Sequence, residues 1–214
     1  MVKMEKFLQP TDIIQSQDKE LYAFIKEALQ IKDSVEKAKL IFLLVRDGIK
    51  YDPYTDFRKL EFYQPGYVIN KARAFCVPKA VLLCAAARRA EIPARLGFAD
   101  LRNHGATQEV KDALGSDIFA WHGFTELYLN GKWLKATPAF DKDLCVRHNI
   151  APLVFDGEHD CVFPEHDLNG KAYAEYISFH GYFDDLPFNE IMAGWRRIYG
   201  NKRVDMWIQM FEAA

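Results

Sequence analysis

The sequence is short of several things, and each shortage removes a class of function. Its 214 residues hold only four cysteines, too sparse for a disulfide scaffold, which leaves catalytic, metal-binding or buried roles for the thiols. Neither charge is in excess: 28 Lys and Arg against 30 Asp and Glu leave a net charge of -2, so no basic field holds phosphates and nucleic acid is not an expected partner. No segment approaches the roughly 18 uninterrupted apolar residues of a membrane span, so no membrane partner is expected. The stretch MVKMEKFLQPTDIIQ lacks an apolar h-region and a small-residue cleavage site, and the expectation is a soluble, cytoplasmic protein. Also missing are a phosphate-cradling G-x-x-x-x-G-K-[ST], a dinucleotide glycine pattern after a strand, and H-E-x-x-H. Nucleotide and metalloprotease chemistry fall away, and neither a cofactor nor a metal is expected. Without repeats, low-complexity tracts or linkers, the chain reads as one domain over residues 1–214.

Half of the residues are apolar, enough to bury a full core. Apolar positions recur at helical spacing over Asp18 to Ile31 and Asp33 to Ile49. In the second segment Val35, Ala38, Ile41, Phe42 and Val45 share a face, Asp33 is a candidate N-cap, and Leu40, Leu43 and Leu44 suggest burial nearly all round. Tyr51 to Asn70, with two prolines and mixed aromatics, reads as an irregular connection. A buried helix is expected over Val77 to Ala90, then a short strand over Arg95 to Ala99. The polar Leu101 to Asp117 stretch suggests a mobile flap. Phe119 to Leu129, Asn130-Gly131 and Lys132 to Thr137 form the pattern of two strands joined by a tight hairpin turn. Loops to about Gly170 and helices at Lys171 to Phe179 and Phe188 to Tyr199 complete the expectation, with Trp207 and Phe211 on a tail helix.

The stretch FCVPKAVLLCAAARR places its cysteines in two environments. Proline is tolerated in a helix's first turn, so Pro78 sets the helix start near Val77 and puts Cys76 at the positive end. There, orphan N–H groups favour a thiolate, and Arg73 and Lys79 add nearby charge. Cys84 falls inside the apolar run, where burial keeps it inert. A thiolate beside backbone donors suits attack on a carbonyl carbon, and the chemistry then needs a base. Of the six histidines, His122 stands out, on the first hairpin strand between Trp121 and Phe124. Read alone, a helix-start cysteine or a lone strand histidine is more often structural than catalytic.

The order of elements resembles the transglutaminase-like core, a papain-type cysteine fold. DSVEKAKLIFLLVRDGIKYDP resembles the helix before the nucleophile with its I-x-Y-D step. FCVPKAVLLCAAARRAEIPARLGFAD resembles the nucleophile helix and a following G-I-P-A-R. WHGFTELYLNGKWLKATPAF resembles the H-A-W-x-E-V-Y … W … D-P-T hairpin. The resemblance spans about residues 33–140 and implies an α+β fold: a nucleophile helix packed on an antiparallel sheet, with extra N- and C-terminal helices. It implies Cys76 as nucleophile, His122 as general base, a thioester intermediate, and a peptide or protein amide as substrate. The family's aspartate falls on Thr137, whose hydroxyl carries no charge to stabilise imidazolium. Three options stand: Thr137 orients His122, Asp141 replaces the carboxylate, or the site is degraded and the protein is a non-catalytic scaffold. Glu91 replaces the usual glycine of G-I-P-A-R, and Gly123 the alanine after the histidine.

A rival constellation is zinc held by Cys145, His148, His159 and Cys161, with His166 nearby, although its order lacks the usual paired spacing. Asp52 and Asp56 in YDPYTDF lack the other ligands of a calcium loop and read as a turn.

Overall fold

The computed structural model describes residues 4–212. After a 3-10 turn at Met4–Phe7, the helices are α1 (Lys19–Ile25), α2 (Ser34–Gly48), α3 (Pro65–Lys71), α4 (Cys76–Arg89), α5 (Gln108–Leu114), α6 (Lys142–Arg147), α7 (Phe188–Tyr199) and α8 (Asn201–Glu212). The strands are β1 (Lys50–Tyr51), β2 (Arg73–Ala74), β3 (Ala94–Asn103), β4 (Ile118–Leu129), β5 (Lys132–Ala136) and β6 (Ala174–Phe183). β1 pairs with β2, and the larger sheet runs β5-β4-β3-β6. Two compact units divide the chain: the first holds the described residues through Gly97, Gly123–Phe163 and Tyr182–Leu186, and the second holds Phe98–His122, Pro164–Gly181 and the residues from Pro187 on.

In the first unit, α2 starts where the Asp33 carboxylate accepts from the N–H groups of Val35 and Glu36, satisfying two orphan donors. Its buried face is Ala38, Ile41, Phe42 and Val45, as the spacing predicts, but Leu43 is exposed, so burial does not wrap the helix. α4 differs from α2 in being buried over nearly all of its length, Val77 to Arg88. Arg88 is tolerated there because its guanidinium fork donates to the carbonyls of Ala94, Gln9 and Asp184, a geometry no ammonium reproduces. The Thr125 hydroxyl donates to the Ala80 carbonyl at 2.8 Å, tying α4 to β4. Gly97 in β3 is required by close approach, since a Cβ there would meet the Phe124 ring.

β4 and β5 pair antiparallel, Leu129 opposite Lys132, across a turn with φ of 49° at Asn130 and 84° at Gly131, as the Asn-Gly pair predicts. The second unit holds α5, α7 and α8, and α5 occupies the expected flap. Thr107 caps it by accepting from Val110 N–H, and Gly115 closes it with φ of 68°. None of its residues is buried, so no apolar period marked it. The helix expected over Lys171 to Phe179 is a strand, β6, at the sheet's end. Its Tyr, Ile and Phe residues are strand formers left exposed, so no alternation betrays them. α3 and α6 likewise interrupt segments read as loops. Pro65 stands at the first turn of α3, where it starts a helix rather than breaking one.

Glu91, just after α4, has φ of 62°. This explains the glycine expected at that position, because the left-handed region crowds a Cβ. Glu91→Gly is expected to stabilise the protein by about 1 kcal/mol, raising Tm by about 3 °C in a thermal melt; an unchanged or lower Tm would contradict the strain.

Candidate functional site

Cys76 opens α4, with Phe75 as an extended N-cap that offers no side-chain bond. Directly before it, β1 and β2 pair in parallel, Lys50 with Arg73 and Tyr51 with Ala74. Lys50 N–H donates to Ala72 O and Asp52 N–H to Ala74 O, both at 3.0 Å. The I-x-Y-D step thus holds the chain end from which α4 departs. Lys79 reaches back from α4 to the carbonyls of Arg46 (2.8 Å) and Ile49 at the end of α2. Burial drives its amine down to about 7, against the opposing pull of Asp141 and Asp47.

These contacts correct the expected electrostatics. Lys79 is spent on α2, and Arg73 pairs with Asp52 at 3.2 Å, so neither serves the sulfur. Burial pushes the Cys76 thiol up to about 11, although the backbone N–H groups of Gly123, Val77 and Cys76 itself pull the other way. The helix start supplies the donors that the sequence promised, but even at this half-buried residue desolvation outweighs them and holds the thiol above its ordinary value. Cys84 is fully buried, and burial raises it to about 12, the inert state expected of it.

His122, on β4 in the second unit, is buried, and burial alone lowers its imidazole to about 4. It is therefore neutral at ordinary pH and able to accept a proton. Its ring stands edge-on to Tyr176, centroids 6.4 Å apart. The next residue, Gly123, begins the first unit's part of β4 and presents its N–H to the Cys76 sulfur.

Thr137 follows β5 and is buried. Its N–H donates to Cys161 O at 2.9 Å, and its hydroxyl has no hydrogen-bond partner among the described residues. Asp141 is buried and caps α6. Its Oδ1 accepts from Leu144 N–H at 3.2 Å and its Oδ2 from Tyr51 N–H at 2.9 Å, with Lys50 Nζ at 3.6 Å. No local pattern in the residues signals this bond to Tyr51, which joins the segment after β5 to β1. The rival metal ligands stay dispersed: Cys145 is buried in α6, Cys161 bridges to Ala136, and His159 is exposed and bonded to Asp156. Among the described residues, no group of three or more His, Cys, Asp or Glu side chains could hold a metal ion. No helix among them is long and apolar enough to cross a membrane.

Residues 24–138, more than half of the chain, match the model of the transglutaminase-like superfamily. The chain is similar to the crystal structure of a candidate cysteine protease from Cytophaga hutchinsonii, at 19% identity and a TM-score of 0.50, over 86% of this chain and 55% of that one. It is also similar to a TGase structure at 16% identity and a TM-score of 0.44, over 58% of this chain and 32% of that one. The chain thus spans about half the length of the first and a third of the second. No curated protein matches it. The family match and the likeness to the Cytophaga structure establish an α+β fold of the papain-like, transglutaminase-like kind.

Burial would raise the Asp141 carboxyl, but the N–H groups of Tyr51 and Leu144 and the charges of Lys50 and Lys79 hold it below its ordinary value. The unfolded chain therefore takes up this proton first as pH falls, and the contribution is complete above about pH 4 and lost below it. Asp141→Ala is expected to cost about 2 kcal/mol at pH 7 in urea unfolding, with the gap to the unmodified protein narrowing below pH 4. A gap independent of pH would show that the carboxylate charge contributes nothing.

Proposed function

Because the chain belongs to the transglutaminase-like superfamily, we propose that it is a cysteine-dependent amide hydrolase with Cys76 as nucleophile and His122 as general base. The observation that carries this reading is the Cys76 sulfur at the head of α4, facing the N–H groups of Gly123, Val77 and Cys76. Those donors stabilise negative charge as it develops at the reacting centre. Family membership supports a cysteine-dependent kind of enzyme, and the substrate proposed is a peptide or protein amide or a glutamine-type carboxamide.

With the thiol near 11 and the imidazole near 4, the resting pair is neutral on both sides. The proton then leaves sulfur as the sulfur–carbon bond forms, and His122 receives it. Collapse of the tetrahedral intermediate breaks the carbon–nitrogen bond, and the imidazolium gives its proton to the departing amine. Water next attacks the thioester while His122 takes its proton, and the acid leaves as the thiol is restored. Hydrolysis is preferred to acyl transfer because transfer requires a site that excludes water, and Cys76 is only half-buried. A neutral base needs no carboxylate to hold a standing imidazolium. Asp141 serves this reading by fixing the segment after β5, and Thr137 at the family's aspartate position leaves a hydroxyl near the end of that strand. No cofactor takes part.

A second reading, a non-catalytic scaffold, is favoured by Thr137 and by the un-ionised sulfur. A generic acyl donor separates the two. Mixed with p-nitrophenyl acetate, the protein is expected to release one burst equivalent of p-nitrophenol and gain an acetyl group on Cys76 by mass spectrometry. Between the imidazole and thiol values the neutral pair persists, so the acylation rate is expected to be flat from about pH 5 to 9 and to fall as His122 protonates below that. Cys76→Ser abolishes the burst. His122→Ala replaces the plateau with a rate that follows the thiolate fraction, rising about tenfold per pH unit. No acylation of Cys76, or a profile unchanged by His122→Ala, would leave the scaffold reading standing.

A further inference from the structure

Trp121 is a large aromatic residue inside β4, yet its φ is 56°. A bulky side chain rarely enters the left-handed region, and such strain persists only where the surroundings over-determine it. A single left-handed residue also breaks the alternation of a strand, so the next side chain is re-aimed. That next residue is His122.

The surroundings of Trp121 within the second unit are closely packed. Its N–H donates to Asp100 Oδ1 at 3.0 Å. Its ring lies flat on that of His180, centroids 4.3 Å apart and planes 6° from parallel, with Phe98 at 5.6 Å. Gly194 of α7 packs so closely that a Cβ there would meet the indole nitrogen. The residue before it is clamped as well: Ala120 N–H donates to Tyr199 Oη at 2.7 Å, and Ala120 O accepts from Trp195 Nε1 at 3.0 Å. Asp100 is itself buried and fixed, since His180 Nε2 donates to its Oδ1 at 2.7 Å and Ser178 Oγ to its Oδ2 at 2.9 Å. Burial would raise this carboxyl, but the bonds from His180, Trp121 and Ser178 hold it below its ordinary value. Although Ser, His and Asp meet here, serine and histidine each bond the carboxylate and not one another, so no base activates the hydroxyl.

We infer that Asp100, locked by His180 and Ser178, is a positioning residue that holds Trp121 in its left-handed conformation and so sets the direction of the His122 imidazole. The inference rests on the reading of His122 as base. In Asp100→Ala the N–H of Trp121 and the ring of His180 lose their acceptor, the backbone relaxes, and the imidazole swings from its working direction. In Asp100→Asn the geometry is retained, because the amide oxygen still accepts from Trp121 and His180 and the amide nitrogen donates to Ser178.

The test is the acylation profile with p-nitrophenyl acetate. Asp100→Ala is expected to lose about tenfold at pH 7 and to exchange the flat profile for one rising with thiolate, whereas Asp100→Asn stays within about threefold of the unmodified protein and keeps its plateau. On a His122→Ala background, Asp100→Ala is expected to change nothing further, as for two residues acting through one group. Should Asp100→Ala fail to fold by circular dichroism, Ser178→Ala carries the test, with a loss of about threefold at pH 7 that vanishes on the His122→Ala background. A plateau retained in the alanine variants, or an additional loss without His122, overturns the positioning role while leaving His122 as base. A plateau that survives His122→Ala overturns the functional reading and this inference together.

Discussion

One opposition governs the chemistry of this protein: three backbone N–H groups aim at the sulfur of a half-buried cysteine whose surroundings disfavour charge. The amides of Cys76, Val77 and Gly123 favour a negative sulfur, and burial forbids it in the resting state. Donors at a helix start are worth more as the dielectric falls, and the same partial desolvation keeps the thiol protonated. The sulfur is thereby quiet until its proton has somewhere to go. Under the proposed reading, a base that is itself neutral, as burial makes His122, fits that state.

The scaffold around the sulfur is built to hold a helix start in place. α2 ends in β1, β1 pairs with β2, and β2 runs into Cys76. Lys79 ties α4 to the last carbonyls of α2, Thr125 ties it to β4, and Asp141 ties the segment after β5 to Tyr51. Each link carries a buried polar group that is costly to leave unpaired. Lys79, in the first turn of α4, is thus a structural clamp. The Trp121 conformation is the corresponding constraint on the histidine strand, maintained by Asp100, His180, Tyr199 and Trp195.

Much of this was legible in the residues. Asp33 capped the helix it was expected to cap, Pro78 marked the start of α4, and Asn130-Gly131 turned the hairpin, because each rule is local and needs no distant partner. The resemblance to the transglutaminase-like core, read over about residues 33–140, overlaps most of residues 24–138 that the family model matches. Local rules failed where tertiary context decides. Pro65 looked like a breaker but opens α3, α5 has no buried residue to create a period, and β6 exposes the aromatics that would otherwise alternate. The sulfur's charge failed for the same reason: the helix dipole is visible in sequence, but the depth of burial is not. Trp121 gave no signal, since a left-handed tryptophan is a property of its packing.

The most direct measurement of the central claim is a thiolate titration by ultraviolet absorbance near 240 nm, taken as the difference between the unmodified protein and Cys76→Ser. A neutral resting sulfur gives no difference at pH 7 and a rise only as pH approaches about 11. A full thiolate signal already present at pH 7 would contradict the account, because the helix-start donors would then have overcome burial.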